Sequence, residues 1–171
     1  MNHASATASA SRPRSWKWAT VTTPSDREAL ITRVVEAPRR LVWEAWTSPE
    51  HVPHWLLGPE GWTMPVCEID LRPGGSWRFV WRKSSGSEME MRGTYTEVVA
   101  PERLVSTEKW GPEWPETINT LVLTEKDGRT TIAQTILYPS KEARDAAMKT
   151  GMKDGADTSF RRLDAYVQTM A

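Results

Sequence analysis

Large aromatic and charged side chains alternate along Ser76-Trp-Arg-Phe-Val-Trp-Arg82. Successive side chains of a β-strand point to opposite faces of its sheet. Trp77, Phe79 and Trp81 therefore share one face, and the arginines lie on the other. Three neighbouring aromatic rings form a face too apolar to be left in water. The pattern predicts a strand whose aromatic face is covered.

Turn signals on both sides of this strand divide the sequence into further strands. Arg72-Pro-Gly-Gly75 precedes it and Ser84-Ser-Gly86 follows it, and Asp127-Gly128 is typical of a two-residue hairpin turn. The segments between such turns are alternating or β-branched. We predict strands at 29–35, 64–71, 76–82, 88–99, 103–110, 117–126 and 129–138.

The last thirty residues change from a period of two to a period of 3.6. Apolar residues recur there at steps of three and four: Met152, Ala156, Phe160, Leu163, Val167 and Met170. This single stripe predicts a long amphipathic helix, with charged residues such as Asp157 on its surface. Ser140 is placed to cap a shorter helix that ends at about residue 149, before Thr150-Gly151.

Two short helices are predicted between the first strand and the rest of the sheet. Apolar residues from Leu41 to Trp46 repeat at helical spacing after Pro38. Ser48-Pro-Glu50 starts the second helix, which ends at Gly58-Pro59. We predict an α+β fold, because the predicted order is one strand, two helices, a series of antiparallel strands and final helices.

The first 25 residues differ in composition from the rest. They are rich in Ala, Ser and Thr, and Arg12, Arg14 and Lys17 are their only charges before Asp26. No apolar segment typical of a secretory signal is present. We expect a flexible tail at 1–25, with Trp16 and Trp18 docking on the domain or on a partner, and one domain at 26–171.

Composition excludes several classes of protein. The chain has 171 residues, with 22 Lys+Arg against 22 Asp+Glu, so its net charge does not favour nucleic-acid or anionic-membrane binding. No apolar run approaches the ~18 residues of a membrane-spanning helix. The single cysteine, Cys67, fits a reducing compartment, and we therefore expect a cytoplasmic protein.

Tryptophan is over-represented: there are ten Trp but two Phe and three Tyr. Trp offers a broad apolar surface and one N–H that needs a partner. Composition supports two interpretations equally, namely the walls of a cleft or a Trp-rich core.

Several motifs together resemble the activator of heat-shock-protein ATPase homologues, a family of the START-like SRPBCC superfamily. The resemblance extends over about residues 24–170. The motifs that carry it are Ile31-Thr-Arg-Val-Val-Glu-Ala-Pro38, Leu41-Val-Trp-Glu-Ala-Trp-Thr47, Pro49-Glu-His51, Trp55-Leu-Leu-Gly-Pro-Glu-Gly-Trp62, Met64-Pro-Val-Cys-Glu-Ile-Asp-Leu-Arg-Pro-Gly-Gly75, Pro101-Glu-Arg-Leu104 and Glu142-Ala-Arg-Asp145.

The resemblance implies a helix-grip fold, in which a curved antiparallel sheet of about six to seven strands wraps the long C-terminal helix around a cavity. The run Trp55-Leu56-Leu57 departs from the paired tryptophans expected before Gly-Pro in many relatives. We expect this departure to change the wall of the cavity.

Known catalytic and metal-binding patterns are absent from the sequence. His51-x-x-His54 lacks further ligands, since His3 is the only other histidine, so we predict no metal. Cys67 has no adjacent histidine and is interpreted as an inert thiol. Gly74-Gly75 indicates a turn, and no Gly-x-Ser-x-Gly motif is present. We predict no catalytic residue and no cofactor.

Three glutamates on predicted strands leave an alternative open. Glu68, Glu90 and Glu108 could each point into the interior, where a carboxyl is neutral or paired with an arginine such as Arg92. Orientation toward solvent is the commoner arrangement for such residues.

The leading functional prediction is a monomer or homodimer that binds a small apolar or aromatic ligand, with no nucleic acid or membrane partner. The predicted cavity wall consists of Trp55, Trp77, Phe79, Trp81, Met91, Glu108, Trp110, Trp114, Met152 and Phe160. The resemblance implies two alternatives: a co-chaperone of a heat-shock ATPase with a role in stress response, and an enzyme of cyclase or hydrolase type that uses cavity carboxylates.

Overall fold

The computed structural model describes residues 18–170, in which eight strands form one antiparallel sheet. In chain order the strands are β1 (Thr20–Thr22), β2 (Glu28–Val35), β3 (Trp62–Ile69), β4 (Ser76–Lys83), β5 (Glu88–Val99), β6 (Arg103–Trp110), β7 (Thr117–Lys126) and β8 (Arg129–Leu137). The helices are α1 (Arg39–Thr47), a 3-10 helix (Val52–His54), α2 (Lys141–Met148) and α3 (Met152–Met170). Across the sheet the order is β1-β2-β8-β7-β6-β5-β4-β3, so β1 and β3 form its edges. The predicted α+β class is confirmed.

The sheet has one strand more than the predicted six to seven. The additional strand, β1, pairs with β2, and Val21 lies opposite Ile31. These residues fall inside the segment predicted as a tail. Three residues are too few to show a period of two, which is why the sequence pattern did not reveal this strand.

The second predicted helix is much shorter than expected. The chain turns after Ser48, whose carbonyl accepts a hydrogen bond from the Val52 N–H at 3.1 Å, and only Val52–His54 form a single 3-10 turn. Pro53 has no N–H to donate to a helical ladder. The prediction of a helix ending at Gly58-Pro59 was wrong for this reason.

The predicted hairpin turn between β7 and β8 is confirmed. Asp127 and Gly128 connect the two strands with φ angles of 53° and 73°. Both angles lie in the left-handed region, which Asp tolerates and Gly adopts without cost.

Helices α2 and α3 follow the sequence pattern closely. The Ser140 hydroxyl caps α2 by accepting a hydrogen bond from the Ala143 N–H at 3.1 Å. The predicted stripe of α3 is confirmed, since Phe160, Leu163 and Val167 are buried where this helix packs against α1 and β2. No helix within residues 18–170 is long and apolar enough to cross a membrane.

Asp157 on α3 was predicted on the surface, but it is buried. Its side chain is 6% exposed and accepts a hydrogen bond from the backbone N–H of Ala19, just before β1. The carboxylate also faces the buried Arg33 of β2, whose pKa burial lowers and Asp164 and Asp157 raise. A charged partner and a backbone donor make this burial tolerable.

Trp18, just before β1, docks on the domain. Its ring lies 5.0 Å from the guanidinium of Arg161 on α3, a cation–π contact. Trp16, predicted to dock likewise, lies outside the described residues.

Two bulges bend the sheet around its inner face. The pairing of β3 with β4 shifts between Thr63 and Val66, and that of β5 with β6 shifts between Tyr95 and Glu97. A bulge bends its strand and increases the local twist. The curved sheet therefore encloses the space beneath α3.

Candidate functional site

A cavity of about 1140 Å³ lies between the inner face of the sheet and α3. Connections around residues 56–59, 111–115 and 150–152 contribute to its boundary. The structure brings all ten predicted wall residues to this one cavity: Trp55, Trp77, Phe79, Trp81, Met91, Glu108, Trp110, Trp114, Met152 and Phe160.

The aromatic face of β4 forms a packed wall. Trp77, Phe79 and Trp81 are 5%, 7% and 3% exposed. The ring centroids of Trp77 and Phe79 are 4.9 Å apart, and those of Phe79 and Trp81 are 6.0 Å apart in an edge-to-face arrangement. These rings therefore cover one another, and little of each is left exposed.

Gly93 on β5 makes room for this wall. It pairs with Trp77, and a Cβ at Gly93 would lie 1.8 Å from the carbonyl oxygen of Thr107 and 2.8 Å from the Trp77 ring. The absence of a side chain lets the indole lie across the strand. The indole N–H of Trp77 is buried and finds no acceptor within the described chain.

Trp55 supports the cavity from behind. It is 0% exposed, its indole N–H donates to the Ala45 carbonyl at 2.9 Å, and its ring lies 4.8 Å from that of Trp46. Phe160 of α3 packs against the same pair. Trp55 thus holds α1 and α3 together and presents no free surface to a ligand.

The more accessible apolar residues lie toward the rim. Trp110 is half-buried and stacks on Trp81 with 5.3 Å between centroids, and Trp114 is 38% exposed. Met152 is half-buried, and its sulfur accepts a hydrogen bond from the Tyr138 hydroxyl. These side chains can change rotamer to fit an irregular ligand.

Glu108 is the carboxylate that the structure turns inward. It lies deep in the molecule, yet its side chain is only partly covered because it faces the cavity. Its Oε1 accepts a hydrogen bond of 2.6 Å from the indole N–H of Trp110. Burial raises the pKa of Glu108 to about 7, and the Trp110 hydrogen bond opposes that rise.

A polar strip that the sequence analysis missed runs across β6, β7 and β8 beside Glu108. The Asn119 side-chain amide donates to the Thr117 hydroxyl at 3.1 Å, and Gln134 donates to Asn119 at 3.4 Å. Ser106 lies on the same cavity surface. The alternation of side chains along β7 could have revealed this strip, because Thr117 and Asn119 lie on the same inward face as Leu121.

Glu68 and Glu90 point outward and form ion pairs. Arg78 contacts Glu90 at 3.1 Å and Glu68 at 4.0 Å, and Arg92 lies 3.5 Å from Glu90. Of the three glutamates left open, Glu68 lies away from the cavity and Glu90 contributes to its boundary from an ion pair, whereas Glu108 faces the cavity without a cationic partner in the described chain.

The remaining candidates for reactive chemistry are Cys67, His51 and His54, and their surroundings are typical of residues that stabilise the fold. Burial raises the pKa of the Cys67 thiol to about 11, which disfavours the nucleophilic thiolate. The Nδ1 of His51 lies 2.7 Å from the Tyr166 hydroxyl, and His54 stacks on the Tyr166 ring. Residues 18–170 contain no group of three or more side chains suited to hold a metal ion.

Tryptophan is concentrated around the cavity. Seven of the ten lie around it, Trp55 behind the surface layer: Trp46, Trp55, Trp62, Trp77, Trp81, Trp110 and Trp114. The two interpretations of the composition are therefore both partly right, because the same indoles form the core and the wall.

Solved structures share this architecture. A protein from Rhodobacter sphaeroides is 29% identical, with a TM-score of 0.85 over 89% of this chain and 99% of that one. A protein from Nitrosomonas europaea is 23% identical, with a TM-score of 0.77 over 86% and 98%. An AHSA1-like protein from Aeromonas hydrophila is 22% identical, with a TM-score of 0.64 over 80% and 92%. These likenesses agree with the predicted helix-grip fold.

Comparison of the sequence alone gives a family. No protein with a curated description matches the chain. The family described as activator of Hsp90 ATPase homolog 1-like protein matches residues 36–168, from the end of β2 almost to the end of α3. The chain belongs to this family.

Proposed function

We propose that the protein binds one small, largely apolar molecule in the cavity between the sheet and α3. The observation that carries this proposal is the cavity itself, with aromatic side chains on one side and a polar strip on the other. Apolar lining supplies affinity in such sites, and a few placed polar groups fix orientation. Membership of the family supports a ligand-binding domain in general terms.

The size of the cavity favours a ligand over a packing defect. Protein interiors contain few voids larger than one water molecule, whereas ligand sites measure roughly 300–1,000 Å³. A space of about 1140 Å³ lies just above the range for ligand sites and far above the size of a packing void. Its polar strip, which an apolar core of the same fold would not need, offers amide and hydroxyl groups that can orient a ligand.

Filling the cavity is expected to abolish binding. Ser106→Trp adds an indole on the cavity side of β6, and Val105→Trp adds the same group on the opposite face of that strand. The neutral fluorescent probe N-phenyl-1-naphthylamine reports occupancy. We expect Ser106→Trp to weaken its binding at least about tenfold, or roughly 1.4 kcal/mol, and Val105→Trp to leave it within about twofold.

The comparison contains its own controls. Both variants are checked for unchanged circular dichroism and cooperative unfolding before titration. Equal binding by the two variants, or no binding of the probe to the unmodified protein, would count against the proposal.

The family's description supports a second candidate, binding to a heat-shock ATPase, and a cytoplasmic setting with a stress role would accompany it. Capture of such an ATPase at one-to-one stoichiometry, with faster turnover, would favour this candidate. Failure of purified protein to bind or stimulate the ATPase would exclude it.

A further inference from the structure

We infer that the cavity selects organic cations: ligands with an apolar body packed against the indole wall and an ammonium group placed at Glu108. This inference rests on the proposed function, since it names the class of molecule that the same cavity takes. Four features of the described residues carry it.

The first feature is a carboxyl group without a cationic partner. No Lys or Arg of residues 18–170 lies within 4 Å of the Glu108 carboxylate. Trp110 donates to Oε1, and no donor of the described chain reaches Oε2. One oxygen is therefore free to accept a hydrogen bond from a ligand.

The second feature is the charge of the whole cavity boundary. In the described chain its only cationic side chain is Arg78, which lies on the outer face of β4 and pairs with Glu90. Five carboxylates contribute to the same boundary: Glu88, Glu90, Glu108, Glu113 and Asp154. Glu88 and Glu90 are paired with Arg82 and Arg78, which leaves Glu108, Glu113 and Asp154 without an ion pair in the described chain. An acidic cleft concentrates cations and repels anionic ligands.

The third feature is the aromatic surface next to the carboxyl group. The indole that bonds Glu108 belongs to Trp110, which stacks on Trp81 at an angle of 12°. Indole rings attract cations through their negative faces, more strongly than other aromatic side chains do. Trp81 covers one face of the half-buried Trp110, so an ammonium group beside the carboxylate would meet the opposite face of Trp110.

The fourth feature is the electrostatic state of Glu108. Burial raises its pKa because the ionised form lacks water and a counter-ion. A bound cation supplies that counter-ion and restores the charged form. Tyr138, on the connection between β8 and α2, stays neutral, because burial and the charge of Glu108 raise its pKa to about 12.

Three probes with one shared apolar body test the inference: 4-phenylbutylamine, 4-phenylbutan-1-ol and 4-phenylbutyric acid. Each displaces N-phenyl-1-naphthylamine at about pH 8, where Glu108 is mostly ionised. We expect the amine to bind at least about tenfold more tightly than the alcohol, and the acid more weakly than either. Glu108→Gln should bring the amine to within about threefold of the alcohol, whereas Glu116→Gln, at an exposed site outside the cavity boundary, should change each affinity less than about twofold.

The outcomes separate the two proposals. If the protein binds the alcohol and the amine with equal affinity, or binds the acid most tightly, the inference is overturned and the proposed function stays intact. A preference for the amine that survives Glu108→Gln would also overturn it. If none of the three probes binds, the proposed function fails together with the inference. The probe comparison in the unmodified protein requires no variant, so it decides the question even if Glu108→Gln does not fold.

Discussion

Trp55→Ala is expected to lower the free energy of unfolding by about 4 kcal/mol, the middle of the range for removing a buried tryptophan. Trp55 is fully buried, and its ring packs against Trp46 of α1 and Phe160 of α3, which also contact each other. Alanine would leave a void at this junction and remove the hydrogen bond to the Ala45 carbonyl. Urea unfolding followed by circular dichroism measures the loss.

Two further variants isolate the cause of this loss. Trp55→Phe keeps much of the buried surface and removes the N–H donor, so we expect a smaller loss, about 1–2 kcal/mol. Trp114→Ala makes the same truncation at a rim residue that is 38% exposed, with an expected change below about 1 kcal/mol. Equal losses for Trp55→Ala and Trp114→Ala would contradict the structural role assigned to Trp55.

Glu108→Gln is expected to change how stability depends on pH. Burial raises the pKa of Glu108 from 4.5 to about 7, so the folded protein keeps a proton that the unfolded chain releases. The free energy of unfolding therefore falls as the pH rises from 4.5 toward 7, and it levels off above that. The corresponding loss is roughly 3 kcal/mol, and a glutamine at this position cannot contribute to it.

The measurement is the difference in stability between Glu108→Gln and the unmodified protein at two pH values. We expect this difference to favour the variant by roughly 3 kcal/mol more at about pH 8 than at about pH 4. Glu113→Gln, which removes an exposed carboxylate, is the matched control and should show a nearly constant difference. A constant difference for Glu108→Gln as well would mean that Glu108 does not sit in the desolvated position described.

Periodicity predicted the parts of the fold that bury apolar side chains in regular order. Trp77, Phe79 and Trp81 share a face because side chains alternate along a strand, and Phe160, Leu163 and Val167 share a stripe because a helix repeats every 3.6 residues. Local chemistry similarly predicted the Ser140 cap and the Asp127-Gly128 turn.

The features that periodicity missed depend on contacts between distant residues. Asp157 fits the polar side of a helix by spacing, and it is buried only because the backbone before β1 crosses it. Glu108 and Glu90 both lie on strands. Glu90 pairs with Arg78 on the outer face of the sheet, whereas Glu108 faces inward and accepts a hydrogen bond from Trp110. The polar strip of Asn119 and Gln134 could have been found by parity, but its purpose requires knowing that a cavity faces it.

A crystal structure of the protein with N-phenyl-1-naphthylamine would show whether a ligand occupies the cavity between the sheet and α3. We predict electron density for one probe molecule between Trp110 and Met152, with its rings against the edge of the β4 aromatic wall. Density at another surface would contradict the proposed function. So would α3 packed so closely on Trp77 and Trp81 that no space separates them.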